Sequence, residues 1–240
     1  MKSIHKYRRT ILMIFLSTVL VLILLLVPRP ILLVLWQTFL SQRLLIGLLL
    51  IFNLVALSLL FTSGQRVDEA IFIFFNLRSR RSQLLDFLMT LLTQIGSGWP
   101  VLLIAAILYY LDYNRLAVEL SLGTLTLWLT VETIKALADR SRPYLQLKET
   151  RIVGWKARGR SFPSGHTSQA FFLASFLLRY FQLDLAGAAG LYALAIIVGV
   201  TRIYVGVHYP RDVIGGALLG TGWGIIISLM DPLLAIRFPL

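Results

Sequence analysis

The chain has 240 residues, of which 58% are hydrophobic and only 14% are charged. Soluble domains carry about 25% charged residues, so the composition excludes an ordinary soluble protein and predicts one integral membrane helix bundle. The net charge of +12, without a soluble basic domain, favours anionic lipid headgroups and the bilayer over nucleic acid as partners. Cysteine is absent, which excludes disulfides, thiol nucleophiles and cysteine-ligated metals.

Residues 1–43 are predicted to form an N-terminal hydrophobic extension. A basic start and an apolar run over 11–27 are similar to a signal peptide. However, the following Val27-Pro28-Arg29-Pro30 is a poor cleavage site, so we interpret 11–27 as a retained membrane segment. The next apolar stretch, 31–40, is too short, at about 1.5 Å per residue, to cross a hydrocarbon layer of about 30 Å alone.

Residues 44–232 are predicted to form an all-α, multi-pass membrane core, whose first span is 44–62. Apolar residues at helical spacing over 66–96 are interrupted by charges, which predicts one or two interfacial amphipathic helices ending at Gly96-Ser97-Gly98. Five further spans are predicted over 99–112, 116–137, 166–182, 185–202 and 213–230. Small residues in the last span predict close helix packing; they are Gly215, Gly216, Gly220, Gly222 and Gly224.

Three polar motifs lie at the ends of these spans. They are Lys135 with Arg142-Pro143, then Pro163-Ser164-Gly165-His166, then Arg202 with His208 and Asp212. Because tight turns are predicted at 112–115 and 183–185, counting spans places all three motifs on one membrane face. Ionisable groups are costly in a membrane, so their clustering predicts a single functional site.

The second motif favours a phosphate-binding helix N-terminus. Ser164 is a good N-cap, Gly165 lets a ligand approach the backbone closely, and free N–H groups at a helix start bind phosphate. Lys135, Arg142 and Arg202 would supply positive charge. The predicted phosphate-binding residues are therefore Lys135, Arg142, Ser164, Gly165 and Arg202. Glu132, three residues before Lys135, is placed to pair with it on a helix.

The spacing of His208 and Asp212 predicts the catalytic groups. On a helix that begins at Pro210, Asp212 reaches back to His208, fixes its tautomer and leaves the other ring nitrogen free to attack phosphorus. We predict His208 as the nucleophile of a phosphohistidine intermediate, Asp212 as its orienter, and His166 as the acid for the leaving alkoxide and later the base for water. These residues do not make a metal-ligand set, so no metal or other cofactor is expected.

The three motifs resemble the type 2 phosphatidic acid phosphatase superfamily, which includes lipid phosphate phosphatases, bacterial acid phosphatases and vanadium haloperoxidases. The family pattern Lys-x6-Arg-Pro, Pro-Ser-Gly-His and Ser-Arg-x5-His-x3-Asp is matched at Lys135–Pro143, Pro163–His166 and Thr201–Asp212, with Thr201 in place of the usual serine. The resemblance covers residues 60–230 or so. It implies a six-helix core, a metal-independent lipid phosphatase, and the histidine roles given above.

Several alternatives stay open at the level of sequence. The substrate could be phosphatidate, phosphatidylglycerophosphate or an isoprenyl pyrophosphate, and the same histidines would serve a lipid phosphotransferase. A haloperoxidase fits poorly with so many spans. A membrane anion transporter fits less well because transporters usually place charge near the midplane. The basic loop over 138–165 is either solvated near anionic lipid or recruits a polyanionic headgroup. Nothing indicates an oligomeric state.

The side of the membrane is predicted from the resemblance. Family members usually place the motif face outside the cytoplasm, which requires Leu44 to start inside. The basic N-terminus also favours the inside, so a simple crossing by 11–27 would put the site in the cytoplasm. A break at Pro28 and Pro30, with 31–40 returning part-way, removes this conflict. We therefore expect an integral plasma-membrane protein of bacterial type with an extracytoplasmic site.

Overall fold

The structure is a computed structural model and describes residues 36–37, 40–78 and 82–237, with only the backbone of residues 78 and 231–237. The predicted segment 11–27, and all of 31–40 except residues 36, 37 and 40, lie outside the described residues. Residues 1–47 and 48–240 form two separate compact units. The site considered below lies in the second unit.

The described residues form helices and no strands. The helices are α1 (Arg43–Ser58), α2 (Thr62–Ile73), α3 (Gln83–Leu92), α4 (Gly98–Tyr110), α5 (Asn114–Ala138), the short α6 (Pro143–Gln146), α7 (Gly165–Tyr180), α8 (Leu185–Tyr204) and α9 (Pro210–Arg237). A π-helical turn, Phe74–Arg78, extends α2, and a 3-10 turn, Thr93–Gly96, extends α3. The predicted boundary at Gly96-Ser97-Gly98 is therefore the joint between α3 and α4.

In the described part of the chain, three helical segments are long and apolar enough to cross a membrane. They are Asn114–Gln146, Leu185–Tyr204 and Pro210–Met230. Two bent pairs pass the same test together: Arg43–Ser58 with Thr62–Leu77, bent by 95°, and Gln83–Gly96 with Gly98–Tyr110, bent by 54°. The expected all-α, multi-pass membrane fold is confirmed. The number of crossings in a six-helix core stays a prediction, since α7 has 16 residues and a span needs about 20.

The backbones of α7 and α9 approach each other closely, because the contact face of α9 consists largely of glycines without side chains. A β-carbon placed at Gly216, Gly220 or Gly224 would collide with atoms of α7. Their four-residue spacing places them on one face of α9, so the predicted close packing by small residues is found here. As a result, the N-termini of α7 and α9 lie side by side, and the amide of Ser164 donates to the carbonyl of Asp212 at 2.9 Å.

Two apolar clusters pack α4, α5 and α8 against this pair. One cluster joins α4, α5, α7 and α9; its buried members are Val101, Ala105, Leu116, Leu120, Leu127, Val131, Phe172, Phe176, Leu219 and Ile227. The other joins α7 to α8 through Ala170, Ala174, Ala195 and Val198. The packing brings the C-terminal ends of α5 and α8 to the N-terminus of α7, and these ends carry Lys135 and Arg202.

Candidate active site

The N-terminus of α7 has the form that the sequence predicts. Ser164 is the N-cap; it is fully buried, and its Oγ accepts from the hydroxyl of Thr167 at 2.9 Å. Lys135 reaches this helix start, because a β-carbon placed at Gly165 would lie 3.8 Å from its Nζ. Lys135 also makes the predicted pair with Glu132, at 2.7 Å. The first and second motifs therefore meet at the beginning of α7.

His208 lies between an arginine and a carboxylate. Its Nε2 is 3.2 Å from Nη1 of Arg142, and its Nδ1 is 3.6 Å from Oδ2 of Asp212. A guanidinium only donates hydrogen bonds, so a neutral His208 must accept at Nε2 and carry its proton on Nδ1. The Nδ1–H then faces the Asp212 carboxylate at slightly more than hydrogen-bond length. This arrangement leaves a lone pair on Nε2, directed toward Arg142.

The surroundings of His208 keep its ring neutral. Burial lowers the pKa of His208 well below its ordinary value, and the positive charges of Arg142, Arg202 and Lys135 lower it further. Desolvation and nearby cations both disfavour the imidazolium form. A neutral imidazole is the form that can act as a nucleophile.

Arg142 and Arg202 are buried, and their partners among residues 40–78 and 82–230 are all neutral. Arg142 donates to the carbonyls of Val207, Arg158 and Gly159 at 2.9–3.1 Å, and Arg202 donates to the hydroxyl of Thr93 at 2.7 Å. Neither arginine pairs with a carboxylate in the described part of the chain. Nε of Arg202 is buried without a hydrogen-bond partner among the same residues. Uncompensated buried guanidinium groups are costly, and an anion bound between them would remove that cost.

His166 stands where two cavities meet. A cavity of 610 Å³ is lined by His166 together with Lys135 and Gly165, and a second cavity of 300 Å³ is lined by His166 together with Arg202. Nε2 of His166 is 3.2 Å from the hydroxyl of Ser97 in the α3–α4 joint. The structure thus brings together all the sequence-predicted site residues around the start of α7, with His166 and His208 on different elements.

Sequence reasoning missed a second layer of charges behind Asp212. Oδ1 of Asp212 accepts from Arg140 at 2.6 Å, and Oδ2 accepts from the backbone amide of Tyr209 at 2.8 Å. Arg140 also forms an ion pair with Asp68 of α2, and Asp68 pairs with Arg211 at 2.6 Å. Asp68 is only 1% exposed, yet in the sequence it lies between Arg66 and Glu69, so its local pattern does not mark it as buried.

The basic loop is partly folded onto the bundle. Arg151 binds both carboxylate oxygens of Asp86 on α3 at 2.8 Å, and its guanidinium lies over the ring of Tyr204. The side-chain amide of Asn76 donates to the backbone carbonyls of both Arg151 and Tyr204 at 2.8 Å, which connects the loop to the end of α8. These contacts fix the loop whose carbonyls bind Arg142, so part of the basic loop has a structural role.

Comparisons with known proteins match the region of the chain that holds this candidate site. A family model, the PAP2 superfamily, matches residues 116–234, a range that contains both histidines and all the predicted phosphate-binding residues. Lipid A 1-phosphatase of Rhizobium etli is 37% identical over 106 residues, which are 42% of this chain and 43% of that protein. The chain therefore spans less than half the length of that curated relative.

Two solved structures are similar over most of their length. The crystal structure of Aquifex aeolicus LpxE has a TM-score of 0.58 and 31% identity, and the similarity covers 67% of this chain and 93% of that chain. The crystal structure of the first transmembrane PAP2 type phosphatidylglycerolphosphate phosphatase from Bacillus subtilis has a TM-score of 0.64 and 26% identity, covering 79% and 96%. The family model, the two similar structures and the three motifs together show that the chain belongs to the PAP2 superfamily.

Proposed function

We propose that this protein is an integral membrane lipid phosphatase that hydrolyses a phosphomonoester or pyrophosphate of a lipid through a phosphohistidine intermediate. The observation that carries the proposal is the pair of buried arginines, Arg142 and Arg202, which have no carboxylate partner among the described residues, beside His208, whose Nε2 faces Arg142. The names of two similar proteins, a lipid A phosphatase and a phosphatidylglycerolphosphate phosphatase, support a lipid phosphate as substrate.

In the first step, the phosphoryl group passes from the lipid to His208. Nε2 of His208 attacks phosphorus, the bond from phosphorus to the lipid oxygen breaks, and His166, protonated once the phosphate anion is bound beside it, gives its proton to that oxygen. Asp212 stabilises the positive charge that develops on the imidazole ring. Arg142, Arg202, Lys135 and the free N–H groups at the start of α7 stabilise the negative charge on the transferred group.

In the second step, water takes the place of the lipid alcohol. His166 has lost its proton and accepts one from the attacking water, the phosphorus–nitrogen bond breaks, and inorganic phosphate leaves. Both histidines return to their starting forms. Positive side chains supply the charge that a divalent ion supplies in other phosphatases, and no step requires a metal.

A phosphate-release assay on the purified protein tests the proposal. We expect release of inorganic phosphate from at least one of phosphatidate, phosphatidylglycerophosphate and an isoprenyl pyrophosphate, with the lipid product identified by mass. A panel that also contains an acceptor alcohol separates hydrolysis from transfer, because transfer yields a new phosphate ester. Absence of both products with every lipid would overturn the proposal.

The proposed site face is extracytoplasmic, and single cysteines can test it because the chain has no native cysteine. Helix α5 has 25 residues, so its first residue and its Lys135 end are separated by more than 30 Å at about 1.5 Å per residue. Glu149→Cys marks the site end at an exposed loop position, and Tyr113→Cys marks the opposite end. We expect a membrane-impermeant maleimide to label Glu149→Cys in intact cells. Labelling of Tyr113→Cys alone would place the site in the cytoplasm.

A further inference from the structure

The 610 Å³ cavity continues from the candidate site into the apolar part of the protein. It begins at Lys135 and His166 and runs between α4, α5 and α7, where Trp99, Leu102 and Trp128 are among its walls. If a phosphoryl group binds beside His166, the first atoms of the attached lipid enter this groove. The side chains of the groove that lie next to His166 therefore contact the part of the lipid nearest to the phosphate.

Two buried polar side chains, one on α5 and one on α7, interrupt the apolar wall at that place. Gln169 donates through Nε2 to the hydroxyl of Thr124 at 3.0 Å, and both residues line the cavity and are buried. Gln169 is three residues after His166 on α7, which places it on nearly the same helix face and about 4.5 Å further along the axis. Polar groups in membrane helices are expensive and usually have a functional or packing use.

The amide of Gln169 has more hydrogen-bonding capacity than its bond to Thr124 uses. A glutamine side chain carries two N–H donors and a carbonyl acceptor, and the contact with Thr124 uses one donor. In a phosphorylated glycerol or sugar, ester carbonyls and hydroxyls lie within a few bonds of the phosphate. A polyprenyl phosphate has only hydrocarbon in the same positions and would leave the amide facing an apolar chain, which is unfavourable.

We infer that Gln169 and Thr124 form a polar subsite that binds an uncharged oxygen of the lipid next to its phosphate, and that the preferred substrate is a glycerol- or sugar-based lipid phosphate rather than a polyprenyl phosphate. The inference rests on the proposed function and names the substrate class of the same site. The oxygen is an ester carbonyl or a hydroxyl, which the lipids chosen for the test distinguish.

Three phosphomonoesters presented in the same detergent micelles test the subsite. Diacylglycerol phosphate carries ester carbonyls, 1-O-alkylglycerol phosphate carries a hydroxyl but no carbonyl, and a polyprenyl monophosphate carries neither. The variants are Gln169→Leu and Thr124→Val. The control is Thr130→Val, which removes a hydroxyl that bonds to the carbonyl of Thr126 within α5 at 2.9 Å and lies outside the groove lining.

We expect the wild type to prefer at least one oxygen-bearing lipid over the polyprenyl phosphate by about tenfold in kcat/KM, the size of one or two hydrogen bonds. Gln169→Leu and Thr124→Val should bring that ratio close to one, while Thr130→Val keeps it. Equal losses on all three lipids in Gln169→Leu and Thr124→Val, or a wild type that favours the polyprenyl phosphate, would overturn the subsite while leaving the phosphatase proposal intact. Failure of the wild type to hydrolyse any lipid would overturn both.

Discussion

Four arginines near His208 fall into two pairs that differ in their partners. Arg140 and Arg211 both bind the carboxylate of Asp68, and Arg140 also binds Asp212. Arg142 and Arg202 are more deeply buried, but their described partners are carbonyls, a hydroxyl and the ring of His208. One pair is electrically compensated within the protein and the other is not.

The difference in charge compensation distinguishes arginines suited to stabilising the fold from arginines suited to binding an anion. A buried ion costs several kcal/mol even after relaxation, and a well-placed opposite charge offsets most of that cost. The compensated pair ties α2, the segment after α5 and the start of α9 together. The uncompensated pair adds cost to the folded protein, and under the proposed function a bound phosphate group would offset that cost. Substitutions in the compensated pair should therefore lower the Tm, whereas substitutions in the uncompensated pair should lower kcat/KM without lowering the Tm.

The largest effect is expected at His208, which lies between Arg142 and Asp212. His208→Ala should lower kcat by about 10⁴-fold or more on every lipid, since it removes the attacking nitrogen. Binding of vanadate should persist, because Arg142 and Arg202 remain. The measurements are steady-state phosphate release and the vanadate-induced rise in Tm. Turnover near the wild-type rate in His208→Ala would exclude the covalent mechanism.

The next largest effect is expected from a comparison of Arg202, of the uncompensated pair, with Arg211, of the compensated pair. Arg202→Met should lower kcat/KM by about 10³-fold, because a positioned charge in the transition state is lost. Its Tm should equal or exceed that of the wild type, since Arg202 is buried with only one described hydrogen bond. Arg211→Met is the matched control: it should lower the Tm by breaking the contact with Asp68 but leave kcat/KM within about threefold. A loss of Tm without loss of activity in Arg202→Met would contradict the comparison.

A smaller effect is expected from Arg140, which connects the compensated pair to the site. Arg140→Met leaves the buried carboxylates of Asp68 and Asp212 without this partner, so it should lower both the Tm and kcat, the latter by about tenfold to 100-fold. KM should change little because Arg140 does not contact the anion site. Arg140→Lys should restore part of kcat. An unchanged kcat in a folded Arg140→Met protein would show that the proposed role of Asp212 does not depend on its ion pair with Arg140.

The smallest effect is expected on removal of metal ions. Because charged side chains take the place of a divalent ion, excess chelator should change the rate by less than about twofold. Vanadate should inhibit under the same conditions. Loss of activity with chelator and its recovery with magnesium would show that the uncompensated arginines are not sufficient.

The sequence predicted which residues the structure brings together at the candidate site, because each motif is local. Ser164 at a helix start, Lys135 at a helix end, and His208 four residues from Asp212 are all readable from spacing along one element. The glycine face of α9 was readable for the same reason. Counting spans placed the three motifs on one membrane face, but it did not specify their contacts across α5, α7 and α9.

The second layer could not be predicted because its contacts join distant parts of the chain. Asp68 and Arg140 are 72 residues apart, and Asp68 belongs to a stretch that reads as an interfacial amphipathic helix. Arg140 lies two residues before Arg142, and no local pattern shows that one is compensated and the other is not. The partner of Gln169 on α5 is likewise set by helix packing, which a single sequence does not specify.

Chemical trapping of the intermediate tests the central claim most directly. With an activated aryl phosphate, the first step needs little help from an acid, whereas the second step still needs a base for water. In His166→Ala, a ³²P-labelled aryl phosphate should therefore leave a label on the protein that is stable to alkali, labile to acid and located on His208. The label should be absent from His166→Ala/His208→Ala. A label on another residue, or turnover with no labelled protein at any time, would contradict the account.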